Sequence, residues 1–150
     1  MSLEDNIRAL ERTPVLAEIG REPLRLLAFS AEQKNLSSNE RLFERGAHAD
    51  CAYTVVSGRI RLDNDNDMRV VGPGALIGEM ALIVETTRPC DAFSDGPSRV
   101  LIVPRSLFRK MLEEYPHIAD ALRARLIQRV RGEFAELERI REDLDRLPGG

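Results

Sequence analysis

Residues 72–88, GPGALIGEMALIVETTR, gather glycines, the carboxylate of Glu79 and the guanidinium of Arg88 into one segment. The chemistry these types share is recognition of an anion that carries hydroxyls. A Gly-x-Gly lead-in lets the backbone turn sharply. A short helix starting near Gly78 would aim free N–H groups outward, where an anion can be held. Glu79 offers acceptors to sugar hydroxyls, and Arg88 offers a planar five-donor fork that fits a phosphate bidentately. The bland alternative is a surface ion pair worth only ~0–1 kcal/mol. The apolar stretch Met80 to Val84 between the two charges implies partial exclusion of solvent and favours a ligand role, with a phosphorylated sugar as the fitting chemistry.

The composition narrows the function classes. The chain has 150 residues, 43% of them hydrophobic, enough for one domain with a substantial core. A formal net charge of −3 supplies no basic field for general nucleic-acid binding. No apolar run approaches the ~18 residues of a membrane span, and the start MSLEDNIRAL lacks the features of a signal peptide, so a cytoplasmic location is expected. Cys51 and Cys90 lack CxxC spacing and read as reduced, partly buried thiols. His48 and His117 are far apart, and no G-x-S-x-G elbow occurs, so neither a metal site nor a nucleophilic hydrolase is expected. The expectation is a binding protein, not an enzyme.

The elements that must position Glu79 and Arg88 follow from periodicity. Leu3, Ile7 and Leu10 predict an amphipathic helix that stops at Thr13-Pro14, and Leu24, Leu26, Leu27 and Phe29 predict a second after Gly20. From residue 34 to 104, short apolar runs alternate with Gly, Asp, Asn, Ser and Pro clusters: RLFER, AYTVVSG, RIRLD, RVVG, CDAFS and RVLIV. This predicts a small antiparallel barrel or sandwich. Gly46 and Gly58 mark tight turns, and residues 63–67, DNDND, form a polar hairpin tip, a solvated turn and not a calcium loop. Ser106 to Tyr115 predicts a helix capped by Ser106, with Leu107, Phe108, Met111 and Leu112 on one side. Pro116 breaks it, and a long helix from about His117 to Leu147 follows. Its seam of Leu126, Val130, Leu137, Ile140, Leu144 and Leu147 predicts a symmetric homodimer through the distal part. Arg123, Arg125, Arg129 and Arg131 read as a solvated face.

The segment from Gly74 to Leu82, GALIGEMAL, with Arg88 behind it, resembles the phosphate-binding cassette of the cyclic-nucleotide-binding domain family, whose pattern is roughly G-D-x-x-G-E-x-A-L followed by Arg. LERTPVL (10–16), RLFERGAHADCAYTVVSGRIRL (41–62) and LIVPRSLFRKMLEEYP (101–116) extend the similarity to most of the chain. The resemblance implies a mainly β domain, an antiparallel β-barrel or jelly roll with flanking helices and a long C-terminal helix. The chain then divides into a helical lead-in (1–33), the barrel (34–104, cassette 72–89) and hinge and C-terminal helices (105–147). The implied ligand is cyclic AMP or cyclic GMP, with cyclic AMP foremost. Its implied contacts are Gly78, Glu79, Met80, Ala81, Arg88, Pro89 and Cys90, with Arg129 and Phe134 capping the base. Binding would reset the hinge helix near Phe108 to Leu112 and signal to an effector protein. Relatives that regulate transcription carry a helix-turn-helix after this point; the chain ends at Pro148-Gly149-Gly150, so direct DNA binding is not expected.

One departure keeps an alternative open. The family places Ala or Ser after the arginine and uses its N–H on the phosphate, whereas Pro89 has none. The alternative is a degenerate domain that no longer holds nucleotide and serves as a dimerisation or protein-interaction module.

Overall fold

The structure is a computed structural model, described here for residues 2–125, 127 and 128. Arg129, Phe134 and the distal helical seam lie outside the described residues, as does Leu126.

The chain opens with α1 (Leu3–Glu11), whose start is fixed by a capping box: the Asp5 N–H donates to Ser2 Oγ and the Ser2 N–H to the Asp5 carboxylate, both at 3.2 Å. Thr13 ends this helix and begins another, α2 (Pro14–Ala17), because proline is tolerated where the N–H needs no helical partner. The sequence signalled only the stop. Then α3 (Arg21–Ser30) buries Leu24, Leu27 and Ala28. Phe29, expected on the apolar face, is 77% exposed. The reason is angular: two residues beyond Leu27, it has rotated off the buried stripe.

Ten strands follow: β1 (Glu32–Leu36), β2 (Arg41–Phe43), β3 (His48–Ala49), β4 (Cys51–Ser57), β5 (Ile60–Asn64), β6 (Asp67–Val71), β7 (Leu76–Ile77), β8 (Thr86–Thr87), β9 (Asp91–Ser94) and β10 (Ser98–Pro104). They form antiparallel sheets in the orders β1-β10-β4-β7 and β2-β9-β5-β6, with β3-β8 as a separate ribbon. This is the jelly-roll form of the expected fold. No closed barrel forms among the described strands, since the two-residue β7 pairs with β4 alone.

Two apolar layers result. Leu36, Leu42, Phe43, Val55, Ile60, Ile77, Ala92 and Val100 come from both four-stranded sheets and fill the space between them. On the other face of β4 and β10, Ala52, Leu101 and Val103 pack with Leu10, Leu27, Phe108 and Met111 of the helices. Both faces of β10 are therefore covered, which explains why 100–103 reads VLIV without polar alternation. That strand runs directly into α4 (Arg105–Glu114). The expected Ser106 cap is not made: Pro104, extended at φ −67° and ψ 147°, occupies the cap position, and Ser106 already lies in the first turn. Tyr115 interrupts the helix, and residues 116–125 are helical again. There, Arg125 forms an ion pair with Glu18.

Candidate functional site

The site is built around Arg88. Its backbone is held on both sides by the β2–β3 connection: the Arg88 N–H donates to the Ala47 carbonyl and the Gly46 N–H donates to the Arg88 carbonyl, both at 2.8 Å. The side chain turns inward and is only 4% exposed. Its guanidinium carbon lies 4.6 Å from the centre of the Phe43 ring and 5.3 Å from that of Tyr53, and the two rings stack 5.9 Å apart. These faces carry negative quadrupole charge and replace part of the hydration a buried cation loses.

The guanidinium's donors are unequally used. Nη2 donates to the Cys51 carbonyl at 2.9 Å and to Cys51 Sγ at 3.4 Å. Nη1 is buried with no hydrogen-bond partner. A cationic donor left this way costs at least ~1–3 kcal/mol. With Nη2 engaged by Cys51, a two-pronged grip through Nη1 and Nη2 would require those bonds to give way.

Nη1 lies directly against Gly78. A Cβ added there would collide with it, and Gly78 sits in the left-handed region at φ 74° and ψ 35°. Glycine is thus required twice over, by conformation and by closeness. From Gly78 the chain enters a single 3-10 turn, Glu79–Leu82, shorter than the α-helix start anticipated. The Ala81 N–H is spent on the Gly78 carbonyl at 3.1 Å.

All seven expected contact residues, Gly78, Glu79, Met80, Ala81, Arg88, Pro89 and Cys90, line one cavity of about 610 Å³. Glu79 is half-buried and Pro89 exposed at its wall. The cavity falls within the 300–1,000 Å³ range usual for small-molecule pockets. Burial, with the neighbouring charges of Asp91 and Asp63, pushes the Cys90 thiol upward, so it stays protonated near neutrality. The Asp91 carboxylate accepts from the Arg45 N–H at 2.8 Å and is not among the lining groups. Tyr53 is pushed up to about 12, first by burial and then by its bond to Cys51, with Arg88 pulling the other way.

Sequence reasoning missed the opposite wall. Leu62, Asn64, Asp67 and Arg69 of the β5–β6 hairpin line the same cavity. It also missed the Phe43 and Tyr53 shelf. Inward-facing aromatics in RLFER and AYTVV were the available signal, but their convergence on Arg88 depends on strand pairing across the sheets. Among the described residues no three potential metal ligands cluster, and no helix is long and apolar enough to cross a membrane.

The sequence profile of the cyclic nucleotide-binding domain matches residues 33–115, a span that includes Phe43, Tyr53, Gly78, Glu79 and Arg88. The chain belongs to the cyclic nucleotide-binding domain family. A cyclic nucleotide-binding-like protein from Brucella abortus is 45% identical, with a TM-score of 0.63 over 73% of this chain and 98% of that one. The N-terminal domain of a Streptomyces coelicolor transcriptional regulator is 26% identical, with a TM-score of 0.74 over 86% of this chain and 94% of the other. Among curated proteins, the lysophospholipase nte1 of Aspergillus terreus is 29% identical over 109 residues, covering 69% of this chain. The chain spans only about 7% of that relative's length, so the match is to one domain of a much larger protein.

Proposed function

We propose that this domain is a regulatory module that binds a cyclic nucleotide, cyclic AMP or cyclic GMP, and passes the change to its C-terminal helices. One observation carries the reading: a buried arginine nitrogen without a partner at the wall of a cavity that also contains Glu79. In this arrangement a phosphate oxygen accepts from Arg88 Nη1, and Glu79 accepts the ribose 2′-hydroxyl proton. The Arg88 bond contributes roughly 1.5–3 kcal/mol, ten- to a hundredfold in affinity. Ligand contacts favour one setting of the cassette, and α4 responds because Phe108 and Met111 pack in the same core as Leu82 of the 3-10 turn. Met80, Ala81, Pro89 and Cys90 shape the walls. Arg129 and Phe134 remain the proposed base cap, and the distal seam the proposed homodimer contact.

Pro89 supports a second reading, in which the pocket is degenerate and the domain works through protein contacts alone. It lines the cavity without an N–H to give, which removes about 1 kcal/mol from phosphate binding. Isothermal titration with cyclic AMP and cyclic GMP separates the two. Saturable heat with one ligand per chain supports the sensor; no heat and no thermal shift at millimolar nucleotide supports the degenerate domain.

A further inference from the structure

Arg105 is the first residue of α4, and its side chain is 11% exposed. Instead of reaching into solvent, its Nη1 donates to three backbone carbonyls: Val84 at 2.9 Å, Ala81 at 3.2 Å and Ala49 at 3.3 Å. Its Nη2 lies 3.9 Å from the Glu85 carboxylate, and its own N–H donates to the Asp50 carbonyl at 2.8 Å. Ala49 and Ala81 both line the ligand cavity.

The placement meets two needs at once. The 3-10 turn Glu79–Leu82 is too short to satisfy its own C-terminal carbonyls, and carbonyls at a helix end attract a cation. At the same time α4 has no side-chain cap and no acid in its first turn, so its start depends on bonds to its surroundings. Arg105 supplies both, tying the end of the cassette to the beginning of the hinge helix through one planar group.

We propose that Arg105 is a positioning residue that holds the 79–85 backbone in its ligand-ready form and makes that segment and the N-terminus of α4 move together. The residue touches no ligand and acts through the carbonyls of Ala81 and Val84. Without it the cassette samples other settings, and apparent affinity falls in proportion to the time spent in them: a cassette competent one-tenth of the time binds roughly tenfold more weakly. A lysine keeps the charge and offers three donors from one nitrogen, but it lacks the second nitrogen that faces Glu85 and the planar group that fixes the donors' direction, so it restores the clamp only in part.

The coupling to ligand rests on the proposed nucleotide reading, whereas the clamp itself does not. Amide hydrogen exchange on the ligand-free protein is therefore the first arm. In Arg105→Gln, amides of residues 79–85 are expected to exchange at least about tenfold faster, while the core strands β4 and β10 keep their protection, and Arg105→Lys falls between. Unchanged exchange at 79–85 in Arg105→Gln overturns the proposal whether or not any nucleotide binds. A loss of protection spread equally over β4 and β10, repeated in Arg105→Lys, also overturns it, because the residue would then be a general structural support. The second arm adds cyclic AMP or cyclic GMP. The variant is expected to bind roughly tenfold more weakly, with the exchange of 105–114 no longer following occupancy. Wild-type affinity with an intact α4 response overturns the coupling. Absence of binding by the wild type refutes the nucleotide reading and leaves the first arm to decide the clamp.

Discussion

Replacing Arg88 by methionine separates its two duties. Methionine is unbranched and apolar, and it keeps much of the contact with Phe43 and Tyr53 that the arginine stem and guanidinium make at ring distances of 4.6 and 5.3 Å. What disappears is the bond from Nη2 to the Cys51 carbonyl, together with the buried, partnerless Nη1. Losing the first costs roughly 1.5–3 kcal/mol, and relief of the second returns roughly 1–3 kcal/mol. The ring contacts lose their cation character, a further ~1–2 kcal/mol. Stability in urea unfolding is therefore expected to fall by only about 1–2 kcal/mol. Ligand affinity, by contrast, loses the whole charge-assisted bond to phosphate, ten- to a hundredfold by calorimetry. The reasoning is refuted if the variant loses more than ~4 kcal/mol of stability while binding nucleotide as well as wild type, because Arg88 would then be a fully satisfied structural clasp.

Other substitutions and titrations probe the same geometry. Gly78→Ala adds a Cβ into Nη1 at a positive φ, while Gly46→Ala has a similar φ of 85° and open space around its Cβ. Both pay a backbone cost of about 1–2 kcal/mol in unfolding experiments, and only Gly78→Ala is expected to weaken nucleotide binding at least tenfold. Glu79→Gln keeps shape and removes charge; it should erase most of the preference for a cyclic ribonucleotide over its 2′-deoxy analogue in competition titrations, a difference of about 1 kcal/mol. Ultraviolet titration of the two tyrosines should resolve Tyr53 near 12. Its folded value lies above the unfolded value of about 10, so the stability linked to its proton is complete below pH ~10 and is lost as pH rises from there through about 12. Thiol alkylation at pH 8 should label the half-exposed Cys90 slowly and the buried Cys51 hardly at all, with saturating nucleotide protecting Cys90.

The local chemistry of the cassette was legible because it is written in consecutive residues. A glycine that must adopt positive φ, an acid beside it and an arginine nine positions after that acid announce themselves without tertiary information. The longer strands were legible too, since AYTVVS and RVLIVP are apolar over enough length to register. The two-residue strands β3, β7 and β8 were not, because two residues carry no period. Nor could the sequence reveal that Arg88 shares its charge with Cys51, or that the hairpin from Leu62 to Arg69 forms the far wall. Those contacts join residues far apart in the chain and exist only after sheet pairing. Ser106 illustrates a local rule overridden: a good capping residue stands two positions too late, because Pro104 holds the cap position and Arg105 already begins the helix.

A crystal structure of the protein grown with saturating cyclic AMP or cyclic GMP tests the central claim most directly. The account predicts a phosphate oxygen about 2.7–3.0 Å from Arg88 Nη1, with Nη2 still on the Cys51 carbonyl and the ribose 2′-hydroxyl against Glu79. A nucleotide seated elsewhere, or no nucleotide in the cavity at saturating concentration, would contradict it.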